Sequence, residues 1–135
     1  MAQEATLIFE TGPAIPFSVS NAVAVEKGAI MKLGVSMAAA ISDGDTDIVA
    51  GIARSEKIAS DGNVKLDIYR QGIFRGYASG AITVGDALAT AAGTDANDIK
   101  RSDVGGENIL GTAFESVEDG GTFLFELNPR GINLA

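Results

Sequence analysis

The chain has 135 residues, of which 46% are apolar and only 6% are aromatic, so it fits one domain with a core of small and branched side chains. Its net charge of −8 argues against a groove for nucleic-acid phosphates, which would need clustered lysine and arginine. The absence of cysteine and histidine excludes disulfides and removes the commonest metal ligands and general bases. With no leader pattern and no run of about 18 apolar residues, we expect a soluble protein without a membrane span.

The N-terminal segment carries an apolar triplet, Leu7-Ile8-Phe9, followed by two closely spaced prolines. Pro13 and Pro16 forbid a helix and a central strand, and they favour an extended path at an edge. We therefore predict an N-terminal arm over residues 1–17 and a single β domain over residues 18–135. From the residues alone, the triplet fits equally well an edge strand of its own domain and a strand that pairs with another chain.

Alternating apolar residues predict strands along most of the remaining chain. Residues 64–69 form one such strand, and a short turn leads into residues 73–77, which predicts an antiparallel hairpin. Residues 37–41 fit either a strand or a short helix. The small and polar residues 89–106 predict a long surface excursion. The clearest hairpin lies within residues 109–127, where a Gly-rich turn separates two strands.

A unit of similar pattern occurs twice in the chain. The first copy has Gly28 in a Val-x-x-Gly-x-apolar strand and Gly51 in a Gly-x-Ala strand, 23 residues apart. The second copy has Gly85 and Gly111 in similar contexts, 26 residues apart. Each copy continues with an Asp-Gly turn and an alternating strand, the turns being Asp61-Gly62 and Asp119-Gly120. The repetition predicts a mainly β domain of two related units, which is typical of a scaffold.

One acidic loop resembles the start of a calcium-binding loop. Asp43, Asp45 and Asp47 alternate as calcium ligands do, but Ile48 stands where the sharp-turn glycine belongs and Arg54 where the closing glutamate belongs. The sequence therefore favours a solvated turn, and we expect no metal site.

Acidic residues also cluster around the final hairpin. Paired carboxylates serve glycosidases, but an exposed strand face and a turn explain these residues without catalysis, and no aromatic sugar platform accompanies them. The residues concerned are Glu115, Glu118, Asp119 and Glu126. We expect no enzymatic activity, no catalytic residues and no cofactor.

The ordered series of elements resembles the capsid decoration, or cement, proteins of tailed bacteriophages over roughly residues 2–127. The elements are an N-terminal arm, a Val-x-x-Gly-x-apolar strand, Gly51-Ile52-Ala53, Gly72-Ile73-Phe74, Val84-Gly85-Asp86-Ala87-Leu88, Gly111-Thr112-Ala113 and Gly121-Thr122-Phe123-Leu124-Phe125.

This resemblance implies a small barrel or β-tulip-like domain, often trimeric, on the outer surface of the icosahedral head. It implies that the protein is made in the host cytoplasm, binds the major capsid protein, and stabilises the expanded shell by bridging its subunits. It also implies that the N-terminal arm contacts the capsid. Transferred by position, the contact residues would be Leu7, Ile8, Phe9, Pro13, Ile15, Pro16 and Phe17.

Two other classes of function remain open from the sequence. A virion-exposed β domain that binds carbohydrate or a host surface would show a cluster of exposed aromatics. Only Tyr69 and Tyr77 are candidates for such a cluster, because the six phenylalanines look buried. A hydrolytic enzyme would need a converging carboxylate pair in a pocket. Of the three classes of function, the enzyme ranks third, after the cement protein and the exposed binding domain.

Overall fold

The computed structural model describes residues 4–42, 47–91, 97–102 and 107–132, with side chains to residue 129. These ranges contain strands and no helix, and so they hold no helical segment of the length and apolarity that a membrane span needs. The mainly β prediction is confirmed. The strands are β1 (Thr6–Phe9), β2 (Ile15–Ser18), β3 (Ile30–Leu33), β4 (Ala39–Ile41), β5 (Val49–Ala53), β6 (Lys65–Tyr69), β7 (Gly72–Tyr77), β8 (Ala87–Thr90), β9 (Ile99–Arg101), β10 (Asn108–Ala113) and β11 (Thr122–Ile132).

The strands form two antiparallel sheets. The five-stranded sheet has the order β2-β6-β5-β3-β4, and the six-stranded sheet has the order β1-β7-β11-β10-β8-β9. Within the described residues neither sheet closes into a continuously paired barrel. In the five-stranded sheet an isolated parallel bridge joins Ser18, at the end of β2, to Ala38, just before β4. In the six-stranded sheet a similar bridge joins Ala78, just after β7, to Ile99 of β9.

The repeat in the sequence is a repeat in topology. The five-stranded sheet and the last five strands of the other sheet have the same order, in which β2, β6, β5, β3 and β4 correspond to β7, β11, β10, β8 and β9. Backbone contacts repeat as well. The Gly28 amide donates to the Ala53 carbonyl at 2.9 Å, and the Gly85 amide donates to the Ala113 carbonyl at 2.8 Å. We call these halves the first and the second unit; β1 is the one described strand outside the correspondence.

The two units share one large core, and the first unit also has a core of its own. Neighbouring residues of a strand point to opposite faces, and both faces of β3 and β5 are buried. Ile30 and Ile52 face the second unit and join the main core, whereas Met31 and Ala50 face the interior of the first unit. In the second unit, Phe74, Phe123 and Phe125 fill the main core with paired rings.

The predicted hairpin over residues 64–77 does not form. β6 pairs with β2 and β5, whereas β7 pairs with β1 and β11, so the turn between them carries the chain from one sheet to the other. The period-2 pattern identified both strands correctly, but it holds no information on which partner each strand takes.

Two other segments differ from the sequence-based expectation or complete it. Residues 37–41, which fitted a strand or a helix, end in the edge strand β4. The predicted excursion over residues 89–106 contains strand β9, whose Ile99 is fully buried in the main core. Its residues 92–96 and 103–106 lie outside the described part of the chain.

A buried lysine marks the main chemical difference between the units. Lys57 and Val25 exchange backbone hydrogen bonds, as Val117 and Ile82 do in the second unit, so a lysine stands where its counterpart is a valine. Its Nζ donates to the carbonyls of Asn21 at 2.8 Å and Val23 at 3.0 Å, and lies 3.5 Å from the Asp61 carboxylate. These contacts compensate for burying the charge.

Two repeat glycines allow strands to approach closely, and Gly51 offers a direct test. A Cβ at Gly51 would lie 1.9 Å from the Tyr69 carbonyl oxygen, and its φ of 148° is unfavourable for other residues. Gly51→Ala should therefore lower the free energy of unfolding by about 3 kcal/mol. Gly62, with a φ of 87° and no atom within 4 Å of its Cβ position, is the control, and Gly62→Ala should cost about 1 kcal/mol. If urea denaturation shows equal losses of unfolding free energy for the two variants, the close approach of Gly51 to the Tyr69 carbonyl is contradicted.

Candidate functional site

Strand β1 lies at the outer edge of the six-stranded sheet and pairs only with β7 among the described strands. The pairing shifts register between Leu7 and Phe9, so Ile8 is the extra residue of a β-bulge. A bulge breaks the alternation of faces along a strand. As a result the side chains of Ile8 and Phe9 are both exposed, by 51% and 66%.

The residues predicted to contact a capsid fall into three groups in this structure. Ile8, Phe9, Pro13 and Pro16 are exposed. Leu7 and Ile15 are partly buried and pack against the main core and the core of the first unit. Phe17 is 2% exposed inside the first unit, so in this conformation a partner cannot reach it.

Residues 4–18 are joined to both sheets along their length. β2 forms the edge of the five-stranded sheet by pairing with β6, and the Ala5 amide donates to the Gly28 carbonyl at 3.0 Å. The N-terminal segment therefore takes the edge-strand form that the sequence left open. Whether it also contacts another chain stays a prediction.

A polar network holds the link between β1 and β2 against the first unit. The Glu10 carboxylate and Arg54 both interact with the Tyr69 hydroxyl. Burial of the ring, reinforced by the Glu10 carboxylate, raises the pKa of Tyr69 above its ordinary value of 10.0. Arg54 is also 3.4 Å from the Asp67 carboxylate at the surface.

A groove of about 590 Å³ lies between β1 and the ends of β5 and β6. Lys27 and Arg54 line it together with apolar groups that include Leu7 and Phe74. Sequence analysis missed these two cations as site residues. They are 27 positions apart in the chain, and only the approach of the Gly28 turn to the end of β5 places them on one groove.

Two of the four acidic residues of the final hairpin, Glu115 and Asp119, have structural partners. The Glu115 carboxylate accepts a hydrogen bond from the Leu124 amide at 2.9 Å and lies 3.6 Å from Arg75. Asp119 accepts from the Gly80 amide at 2.8 Å. Most of the acidic loop around Asp45 lies outside the described residues. Within the described ranges, no three acidic side chains stand close enough to hold a metal ion together.

The expected burial of all six phenylalanines is wrong for two of them. Phe9 and Phe114 are exposed by 66% and 47%. Of the tyrosines, Tyr69 is buried and Tyr77 is half-buried, so the aromatic residues at the surface are not the ones that the sequence suggested. The pattern did not reveal this because β1 is bulged and Phe114 follows the last residue of β10.

The two related β units and the strand edge at β1 define a β scaffold. A family model for phage cement proteins matches residues 9–127. The chain therefore belongs to the phage cement protein family, and its role is structural and associated with the phage capsid.

One solved structure similar to this chain is the N base of the head fiber protein gp8.5 of bacteriophage phi29. The TM-score is 0.54 at 16% sequence identity, and the match covers 85% of this chain and 92% of that one. At this identity the similarity shows a shared fold. No curated protein matches the chain in sequence.

The Tyr69 network predicts a pH dependence of stability. Because the pKa of Tyr69 is raised in the folded state, the unfolded chain loses this proton first as the pH rises above 10.0. The contribution of protonated Tyr69 to the free energy of unfolding is fully present below pH 10.0. It is lost as the pH rises through the higher pKa of the folded state. Measured from about pH 9 to about pH 11, the unfolding free energy of Tyr69→Phe should fall less than that of the wild type.

Glu10→Gln is the companion variant for this measurement. It removes the carboxylate and leaves the burial of the ring, so it should retain part of the wild-type fall. If Tyr69→Phe and the wild type lose the same free energy over this pH range, the network is not as described.

Proposed function

We propose that this protein binds the outer surface of the icosahedral head and stabilises the expanded shell by bridging major capsid subunits. The observation that carries the proposal is the pair Ile8 and Phe9, which stand exposed on an open edge strand of a cement-family protein. Large apolar side chains that remain exposed together are typical of a docking surface. Pro13, in the link between β1 and β2, and Pro16, on β2, are also exposed and belong to the same proposed contact.

Charge supports the outer face of the shell as the place of binding. A protein with a net charge of −8 is repelled by the packaged genome and is kept soluble at a surface that faces water. We therefore propose that it lies on the virion exterior and that neither nucleic acid nor a membrane is its partner. Synthesis in the host cytoplasm belongs to the same proposal.

Stabilisation of the shell would follow from mass action. A protein that binds the expanded shell more tightly than other forms shifts the equilibrium toward the expanded form. We further propose that three copies act together as a trimer. The second and third contacts then form at high effective concentration, so that modest affinity at each site is sufficient.

The test compares two double variants, each of which replaces one isoleucine and one phenylalanine by serine. Ile8→Ser/Phe9→Ser removes the exposed pair on β1, whereas Ile58→Ser/Phe114→Ser removes an exposed isoleucine and an exposed phenylalanine elsewhere. Both variants should fold, because neither changes a buried side chain. In cosedimentation with expanded, undecorated capsids, the β1 variant should bind about 100-fold more weakly than the wild type.

The control variant should bind within about threefold of the wild type. Equal binding by the two double variants would contradict the role of β1. Failure of the wild-type protein to bind capsids of its own phage would contradict the function itself and would favour the carbohydrate- or host-binding alternative.

A further inference from the structure

The groove beside β1 has one wall from each sheet. Residues 4–7 form the wall on the side of β1. Residues 27–28 and 53–54 belong to the first unit and form the opposite wall, while Tyr69 and Phe74 complete the lining. The groove therefore runs beside the first half of β1, at Thr6 and Leu7, beyond the point where the Ala5 amide bonds to the Gly28 carbonyl. An extended peptide placed there would lie beside the edge of the sheet.

The backbone of β1 is available for a further strand. β1 has one strand neighbour, so along its other edge its amides and carbonyls have no strand partner within the described chain. The edge at β2 is different. Pro16 has no amide proton to offer, and the Ser18 amide already donates to the Met37 carbonyl at 2.8 Å. Of these two N-terminal edges, β1 is the one able to accept a strand.

The charge of the groove is opposite to that of the protein. Lys27 and Arg54 line it, against a single lining carboxylate, Glu4, in a chain whose net charge is −8. Lys27 makes no ion pair within the described part of the chain. Arg54 lies 3.4 Å from Asp67 in a pair that is weak because both side chains are about half exposed, and it also interacts with the Tyr69 hydroxyl. Lys27 is therefore the cation with fewer partners of the two, and Arg54 adds positive charge at the same wall of the groove.

We propose that this groove receives an extended segment of the major capsid subunit, which adds to β1 as a strand and directs an acidic side chain toward Lys27 and Arg54. Apolar side chains of the segment would lie over Leu7, which is partly buried at the edge of the main core. This inference rests on the proposed capsid binding and adds the chemistry of the segment that is bound: extended, partly apolar and acidic.

The first test reverses the charge of the groove. Lys27→Glu/Arg54→Glu should weaken binding to expanded capsids at least about tenfold at low salt, because an acidic segment would then meet like charges. Lys65→Glu/Arg101→Glu is the matched control. It makes the same change in net charge at exposed positions on β6 and β9, and it should bind as the wild type does within about threefold.

The second test needs no variant and reads the backbone directly. Hydrogen exchange of the wild-type protein, free and bound to capsids, should slow at residues 6–9 on binding, because strand addition gives their outer amides a partner. Equal binding by the two charge variants, or unchanged exchange at residues 6–9, overturns the groove proposal and leaves capsid binding standing. If the wild type does not bind capsids at all, the proposed function has failed and this inference fails with it.

Discussion

The packing of the first unit against the second is the constraint on which the rest of the structure depends. Ile30, Val49 and Ile52 lie on the outer face of the five-stranded sheet and are buried in the core that the second unit fills with phenylalanine. A hydrogen bond from the Ile30 amide to the buried side chain of Asn97, at 3.0 Å, links the units across the same contact. Separating the units would expose several large apolar side chains of the core that both units share.

The shared core also determines which surfaces are left for function. A parallel bridge joins the two outer strands of each unit. The faces by which the two units contact each other are buried in the main core. One sheet edge that no parallel bridge joins is β1, the described strand that has no counterpart in the repeat. β1 has no counterpart in the first unit, it lies at an edge, and its bulge exposes two large apolar side chains. The structure thus separates a duplicated scaffold from a single added element that carries the proposed contact with the shell.

The sequence predicted the scaffold better than the site. The paired glycines identified the two units because only glycine fits their positions: a turn with positive φ at Gly28 and Gly85, and a close strand approach at Gly51 and Gly111. The Asp-Gly turns, in contrast, are not equivalent. Gly120 corresponds to Ser60, and both have a positive φ. The Ser60 amide donates to the Asn21 carbonyl, and the Gly120 amide donates to the Ala78 carbonyl.

Features that depend on distant partners could not be predicted in this way. Alternation showed that residues 65–69 and 72–77 are strands, but the choice of sheet depends on pairings made far along the chain. The exposure of Phe9 follows from a bulge against β7, and the groove cations meet only after the sheets have packed. Lys57 could not be recognised as buried either, because the carbonyls that surround it come from Asn21 and Val23.

The most direct measurement is electron cryomicroscopy of expanded capsids of the matching phage, imaged with and without the purified protein. The account predicts added density on the outer surface, with β1 facing the shell and the loops of both units facing solvent. Capsids that remain bare in the presence of folded protein, or density in which β1 points away from the shell, would contradict it.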